Sequence, residues 1–311
     1  KTVSIVAPCY NEAAGVTAFL DAVRNIADQL IAYHFEFLFV DDGSEDDTEG
    51  VLLREAEHDP RVKVLVLSRN FGHHKAIKAG LRQARGELVF LIDCDLEEAP
   101  ELLTRFWDHW QTLQDTDVLY GVQKERKGGF FERISGKIFY AVLNFLISEV
   151  TYPANPLTAR LMSRRYVDRV LEFDEREYDL WFSFALTGFR QAALEADKGN
   201  KGSSAYTLRR KLKLASETIT ATSSKPLVLI FGLGIAISGL SFCYLAYLLV
   251  NKLFFDVLIG WTSILGSIWL IGGLLMLSIG VIGIYLSKIF IETKKRPEYI
   301  IKEVYRHVGE P

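Results

Sequence analysis

Four short runs in the first hundred residues are apolar at nearly every position: "SIVAP" (4–8), "EFLFV" (36–40), "VKVLVL" (62–67) and "ELVFLI" (87–92). Longer stretches such as "AGVTAFLDAVRNIADQL" separate them, with apolar residues at helical spacing. A strand covered on both faces has no polar side to show, so runs of this kind alternating with amphipathic helices predict a doubly wound, mainly parallel α/β sheet. Ligands in such sheets bind beyond the carboxyl ends of the strands. The residues there are polar: Tyr10, Asn11 and Glu12 after the first run, Asp41 and Asp42 after the second, Arg69 and Asn70 after the third, Asp93 and Asp95 after the fourth. A helix, "HHKAIKAGLRQA", is expected after the third run.

The pattern changes in the second half. Pro226–Val250 and Trp261–Ser287 are uncharged, and each is long enough to span a hydrocarbon core of about 30 Å. Their link carries only Lys252 and Asp256, whereas Arg209, Arg210, Lys211, Lys213 and Lys225 precede the pair and Lys288, Lys294, Lys295 and Arg296 follow it. The positive-inside rule then predicts a two-helix transmembrane hairpin with both flanks cytosolic. Two further segments are amphipathic. "GGFFERISGKIFYAVLNFLI" fits either packing on the sheet or a membrane surface, and "AYTLRRKLKLASETITATSS", next to the first span, fits an interfacial helix. The expected organisation is a cytosolic domain over 1–205, a juxtamembrane segment over 206–225, two spans within 226–287 (about 226–250 and 261–287), and a cytosolic basic tail over 288–311.

Composition sharpens this picture in three ways. The hydrophobic content of 49% requires a large core, membrane segments or both. The net charge of −3 conceals basic clusters beside the apolar spans, which suit anionic lipid surfaces and give no reason to expect nucleic acid. Cys9, Cys94 and Cys243 lie far apart, so neither a disulfide framework nor a zinc site is expected. The segment "KTVSIVAPCYNE" lacks signal-peptide features, so the first domain is expected in the cytosol.

Asp93 and Asp95 are two residues apart, and in an extended chain they would share a face. Two such carboxylates suit Mg²⁺ or Mn²⁺, hard cations that keep open positions for phosphate oxygens. The competing reading is that the acids cap the helix beginning near Glu97 or Pro100, and that Asp41 and Asp42 form a turn. His73 and His74 fit capping or packing better than general-base catalysis.

These residues resemble the inverting family 2 glycosyltransferases of GT-A, Rossmann-like fold, and within them the polyprenyl-phosphate sugar transferases, the group of dolichol-phosphate mannose synthase and the bacterial bactoprenol glucosyltransferases. "SIVAPCYNE", "FLFVDDGSEDDT", "LSRNFGHHKAIKAGL" and "GELVFLIDCDLEEAPE" look like the family's nucleotide-sugar motifs in order. "GSSAYTLRRKLKLA" and "GIYLSKIFIETKKRPEYIIKE" look like its juxtamembrane and membrane-exit segments. The resemblance implies that Pro8, Tyr10, Glu12, Asp41 and Asp42 line the nucleotide pocket and that Asp93 and Asp95 hold the metal and diphosphate. Arg160 completes the catalytic set facing phosphate, and Arg133, Lys137, Lys201, Arg209 and Arg210 meet the acceptor's phosphate and the lipid headgroups. It further implies a nucleotide diphosphate sugar as donor, UDP-glucose first, and undecaprenyl phosphate as acceptor at the bacterial inner (plasma) membrane. Self-association is allowed without being required.

The sequence departs from the family where an acid usually precedes Phe-Arg, for here stand Thr158 and Ala159. A phosphate monoester with its second pKa about 6 is already largely dianionic at neutral pH. It needs positioning more than deprotonation, so activity is still expected. Lys198 and Lys201 stand roughly where bacterial members have arginines. Two alternatives remain: a different donor or acceptor, such as GDP-mannose with dolichyl phosphate or another lipid, and a catalytically silent protein that binds nucleotide sugars.

Overall fold

The structure, a computed structural model, describes residues 1–113, 115–123, 145, 156–173, 180–196, 199, 220, 223–254 and 261–306. The chain divides into two units. The first is an α/β domain built from Lys1–Ala141, Glu149–Thr207 and Arg296–Pro311.

Its elements run β1 (Thr2–Cys9), α1 (Val16–Gln29), β2 (His34–Asp41), α2 (Thr48–His58), β3 (Val62–Leu67), α3 (His73–Gln83), β4 (Leu88–Leu91), α4 (Leu102–Thr112), β5 (Val118–Gln123), β6 (Pro156–Ser163), α5 (Arg164–Val170), α6 (Leu180–Leu186) and β7 (Gln191–Ala196), and β8 (Ile301–Tyr305) follows much later in the chain. The sheet order is β7-β5-β6-β4-β1-β2-β3-β8. The four strands expected from the apolar runs form its parallel centre, with β1 pairing β2 on one side and β4 on the other, and β2 pairing β3. Their side chains are buried on both faces, which is why they read as continuous apolar runs. The result is a Rossmann-like α/β fold. Because the chain winds from β1 towards β3 and then crosses back to β4, a crevice opens at the carboxyl ends of β1 and β4, and this is where Asp93 follows its strand.

Two apolar layers hold the sheet. Phe19 and Leu20 of α1 pack with Phe37, Phe39 and Phe90 on one face. Ile77 and Leu81 of α3 pack with Val6, Val40, Tyr166 and Phe184 on the other. Each fully buried side chain of this kind contributes about 1.5–3 kcal/mol. Gly80 of α3 lies so close to the sheet that a Cβ there would approach Val6 and Val40 within 3.0 Å, which sets the depth at which α3 rests.

The last strand was not expected. The basic segment after the apolar helices, read from sequence as a tail, returns to the domain as β8 and pairs antiparallel with β3, Val64 opposite Tyr305 and Leu65 opposite Val304. Ser68 N–H donates to Ile300 O at 2.9 Å just beyond the pairing. Lys78 of α3 is fully buried, and its Nζ donates to Glu298 Oε1 at 2.7 Å and Phe173 O at 2.6 Å.

The second unit, Val142–Ser148 with Leu208–Lys295, contains two long helices, α7 (Lys225–Phe254) and α8 (Trp261–Thr293). At 1.5 Å per residue they are about 45 and 50 Å long. Among the described residues, one helix, Leu270–Thr293, is long and apolar enough to cross a membrane, and Lys225–Ile237 is a shorter apolar helix. The expected two-span hairpin is therefore matched in helix placement, while a second spanning segment is not established.

Candidate active site

The loops after β1 and β2 are stitched together. Asn11, in the left-handed region at φ 55°, donates its N–H to Ser44 Oγ at 3.0 Å and accepts from Glu45 N–H at 2.8 Å. Glu12 N–H donates to Thr48 Oγ1 at 2.9 Å. Pro8 is buried in β1 opposite Val40, and Tyr10 stands exposed just beyond it. Gly43 has φ +67°, and a Cβ there would lie 2.7 Å from Asn70 N, so only glycine fits this turn.

Asp41 ends β2 with Oδ1 accepting from Ser44 N–H at 3.1 Å and from the Ser44 hydroxyl. The Asp42 carboxylate accepts from Phe71 N–H at 2.8 Å and Gly72 N–H at 2.9 Å. Asp42, grouped with the nucleotide ligands from sequence, thus fixes the loop that leads into α3. Burial raises both carboxyls above the ordinary range, Asp41 against the Ser44 hydrogen bonds and Asp42 against the two amides.

Strand β4 stops at Leu91, so strand alternation does not bring Asp93 and Asp95 to one face. The chain turns instead. Asp95 Oδ1 accepts from Glu97 N–H at 2.9 Å, and Leu96 takes φ 60°, an uncommon conformation for a bulky residue. The helix-capping alternative for Asp95 is not realised, because α4 begins at Leu102 with Glu101 at its N-cap and Asp95 closes a local turn ahead of it. Backbone strain of this sort clusters at functional sites.

Asp93 is held from two sides. Its Oδ1 lies 2.7 Å from His73 Nε2, and its Oδ2 accepts from Thr158 Oγ1 at 2.7 Å. Burial by itself depresses the His73 pKa, but the hydrogen bond and charge of Asp93, with the charges of Glu98 and Asp42, raise it overall. Glu98, almost fully buried, accepts Thr158 N–H at 2.8 Å and Ala159 N–H at 2.7 Å, clamping the start of β6 to the Asp93 loop. Where the family usually has an acid, this chain therefore places a hydroxyl donor against Asp93.

No group of three or more His, Cys, Asp or Glu suited to a metal occurs among the described residues. In donor chemistry alone, Asp93 and Asp95 supply the carboxylate oxygens that an ion of the Mg²⁺ or Mn²⁺ kind would take, such an ion binding through one or two carboxylates and filling its remaining positions with phosphate and water oxygens. Asp93 retains 19% side-chain exposure, enough for access from the crevice.

Arg160 sits in β6 on the same strand face as Thr158, opposite Leu91 of β4 and Tyr120 of β5. It is buried, with Cζ 3.8 Å from the Phe184 ring centroid and 4.4 Å from that of Trp181. Arg133, Lys137, Lys201, Arg209 and Arg210 lie outside the described residues, as do Lys198 and most of the two amphipathic segments. Sequence reasoning missed Glu98, Trp181 and the direct part of Thr158, and it set His73 aside. The adjacency of "HH" to a strand end was the only signal for His73.

The family model for glycosyl transferase family 2 matches residues 4–171. A protein of Mycobacterium tuberculosis (strain CDC 1551 / Oshkosh) described as "Putative glycosyltransferases" is 42% identical over 303 residues, 97% of this chain and 88% of that protein. The SfII prophage-derived bactoprenol glucosyl transferase of Shigella flexneri is 33% identical over 308 residues, 98% of each chain. The crystal structure of glucosyl-3-phosphoglycerate synthase from Mycobacterium tuberculosis with Mn²⁺, UDP and phosphoglyceric acid superposes with a TM-score of 0.48 at 19% identity, over 71% of this chain and 77% of that one. With over half of its length matched by the family model and close relatives along nearly all of it, this chain belongs to glycosyl transferase family 2.

Proposed function

We propose that the protein transfers a sugar, glucose from UDP-glucose in the first instance, to a polyprenyl phosphate of the undecaprenyl type at the cytosolic face of a bacterial plasma membrane. The observation that carries this reading is the extent of the likeness to bactoprenol glucosyl transferase, 98% of each chain, apolar helices included. On this reading both α7 and α8 cross the bilayer, the basic flanks stay in the cytosol, and Arg133, Lys137, Lys201, Arg209 and Arg210 meet phosphate and headgroups.

Pro8, Tyr10, Glu12 and Asp41 line the nucleotide pocket, and Asp42 holds the neighbouring loop. Asp93 and Asp95 hold the divalent ion, which when bound offsets the charge that develops on the departing diphosphate. His73 and Thr158 keep Asp93 in its orientation, and Arg160 holds the acceptor phosphate. A phosphate oxygen attacks the anomeric carbon as the bond to the diphosphate breaks, so the configuration inverts and UDP leaves. The acceptor needs no base at position 158, because its phosphate is already largely dianionic.

The test is a transfer assay in detergent with undecaprenyl phosphate and a panel of UDP-, GDP- and dTDP-sugars, with and without a chelator. Chelator-sensitive product from UDP-glucose supports the proposal, and Asp95→Ala should abolish it. Nucleotide binding without product on any polyprenyl phosphate would favour the silent binding protein.

A further inference from the structure

Trp181 was not singled out by the sequence and takes no part in the chemistry above. It opens α6 one residue after Leu180, half-buried, on the face of the sheet where Thr158 and Arg160 project. Its ring meets two groups from different parts of the chain. The Arg160 guanidinium carbon lies 4.4 Å from the Trp181 centroid, and the His74 ring meets Trp181 edge-on at 6.1 Å between centroids. Phe184, one turn further along α6, covers Arg160 at 3.8 Å and packs edge-on against Trp181 at 5.9 Å.

A guanidinium donates hydrogen bonds only in its own plane. Rings packed around it restrict the tilt of that plane, and so bias the edge along which an anion can be received. The hydrogen bonds from Nε to Thr158 O and from Nη2 to Leu157 O are both 3.4 Å, too long to fix the tilt alone. The aromatic corner of Trp181 and Phe184 constrains that tilt further. His74 adds a second consequence, because the preceding residue, His73, contacts Asp93. One helix start thus touches both the Asp93 carboxylate and the ring that sets Arg160.

We propose that Trp181 is a positioning residue for the acceptor: its ring holds the Arg160 guanidinium in the plane that receives the phosphate of the lipid acceptor, in register with Asp93. This rests on the reading of Arg160 as the acceptor-phosphate ligand. Trp181 touches no reacting atom, and its effect on the acceptor is carried by Arg160.

The experiment measures KM for a short-chain polyprenyl phosphate and, separately, for UDP-glucose, in the full-length enzyme carrying Trp181→Leu, Trp181→Phe, Arg160→Lys, or Arg160→Lys with Trp181→Leu. Thermal unfolding and UDP binding by calorimetry accompany each variant. Trp181→Leu is expected to raise the acceptor KM about tenfold, the scale of a desolvated cation–π contact, and to leave the donor KM and UDP affinity unchanged. Trp181→Phe should restore most of the loss, and in the Arg160→Lys background Trp181→Leu should add little. Equal loss for donor and acceptor, or an undiminished effect in the Arg160→Lys background, overturns the proposal. An acceptor KM that rises for Arg160→Lys but not for Trp181→Leu removes Trp181 alone. No change for Arg160→Lys removes the reading of Arg160, and the proposal with it. If Trp181→Leu fails to fold, Trp181→Phe against Trp181→His carries the same comparison, with failure of both to separate the two KM values counting against the proposal.

Discussion

Thr158 Oγ1 donates to Asp93 Oδ2 at 2.7 Å, so the position that lacks the family's usual acid still reaches the acid that follows β4. A hydroxyl stabilises the ionised form of Asp93, whereas a second carboxylate at that distance would repel it and push one of the pair towards protonation. Thr158→Val is expected to lower kcat about tenfold and to raise the metal concentration needed for half-maximal activity, since a hydrogen bond to a charged group is lost. Thr158→Asp should be less active than the wild type at neutral pH. Metal titrations of both variants check this, and a gain of activity in Thr158→Asp would mean that the hydroxyl is only a weakened substitute for the acid.

Asp41 is placed at a cost. Burial raises its carboxyl above the ordinary value of about 3.9. A raised group contributes stability that is fully present below the unfolded value and is lost as pH rises through the folded one. At neutral pH the ionised Asp41 therefore weakens the fold. Asp41→Asn keeps an oxygen to accept from Ser44 and removes the charge, so melting should rise by about 2 °C at pH 7 while UDP affinity falls at least about tenfold. Calorimetry and thermal melts on one preparation measure both.

The opposite sign holds at Asp59. Burial alone would raise its carboxyl, but Arg61 and Arg24 donate to it at 2.9–3.3 Å and bring it below the usual range. Its contribution is present above about pH 4 and is lost as pH falls through the depressed value. Asp59→Asn should lower the melting temperature at pH 7 and flatten the acid limb of the stability curve below about pH 4. Melts at a series of pH values, with an unchanged limb as the contrary result, decide it.

Lys78 and Glu298 form a buried pair 220 residues apart in sequence, and Glu298 Oε2 has no hydrogen-bond partner among the described residues. Removing one member of such a pair leaves the other charge buried. Lys78→Met should destabilise the domain by about 3–5 kcal/mol. Glu298→Gln keeps an acceptor for the ammonium and should cost less. Denaturant melts followed by tryptophan fluorescence compare them, and equal costs would show that the charge of Glu298 and not its shape carries the contact.

The central sheet was legible because β1 to β4 are covered on both faces, so their hydrophobicity is continuous. Strand β8 was not. In "IKEVY" it carries Lys302 and Glu303 exposed at an edge, and nothing local distinguishes it from a basic tail. The acids were legible as residues at strand ends, but not their partners. Glu98 clamps Thr158 and Ala159 across some sixty residues of sequence, and Trp181 meets Arg160 through a ring contact that has no periodicity to betray it. Pattern reports which face of an element is covered. It is silent on which side chain from elsewhere does the covering.

The position of β8 has a consequence for how the molecule is made. An edge strand drawn from residues 301–305 leaves the ribosome after both apolar helices. Domains otherwise tend to fold as they emerge, amino-terminal parts first. Here the nascent sheet must wait, with β3 unpaired on its outer side, until both helices and residues 301–305 have been made. Completion of the α/β sheet is thereby timed to follow synthesis of both apolar helices, and a chain terminated before residue 301 carries an open strand edge that exposes it to aggregation or degradation.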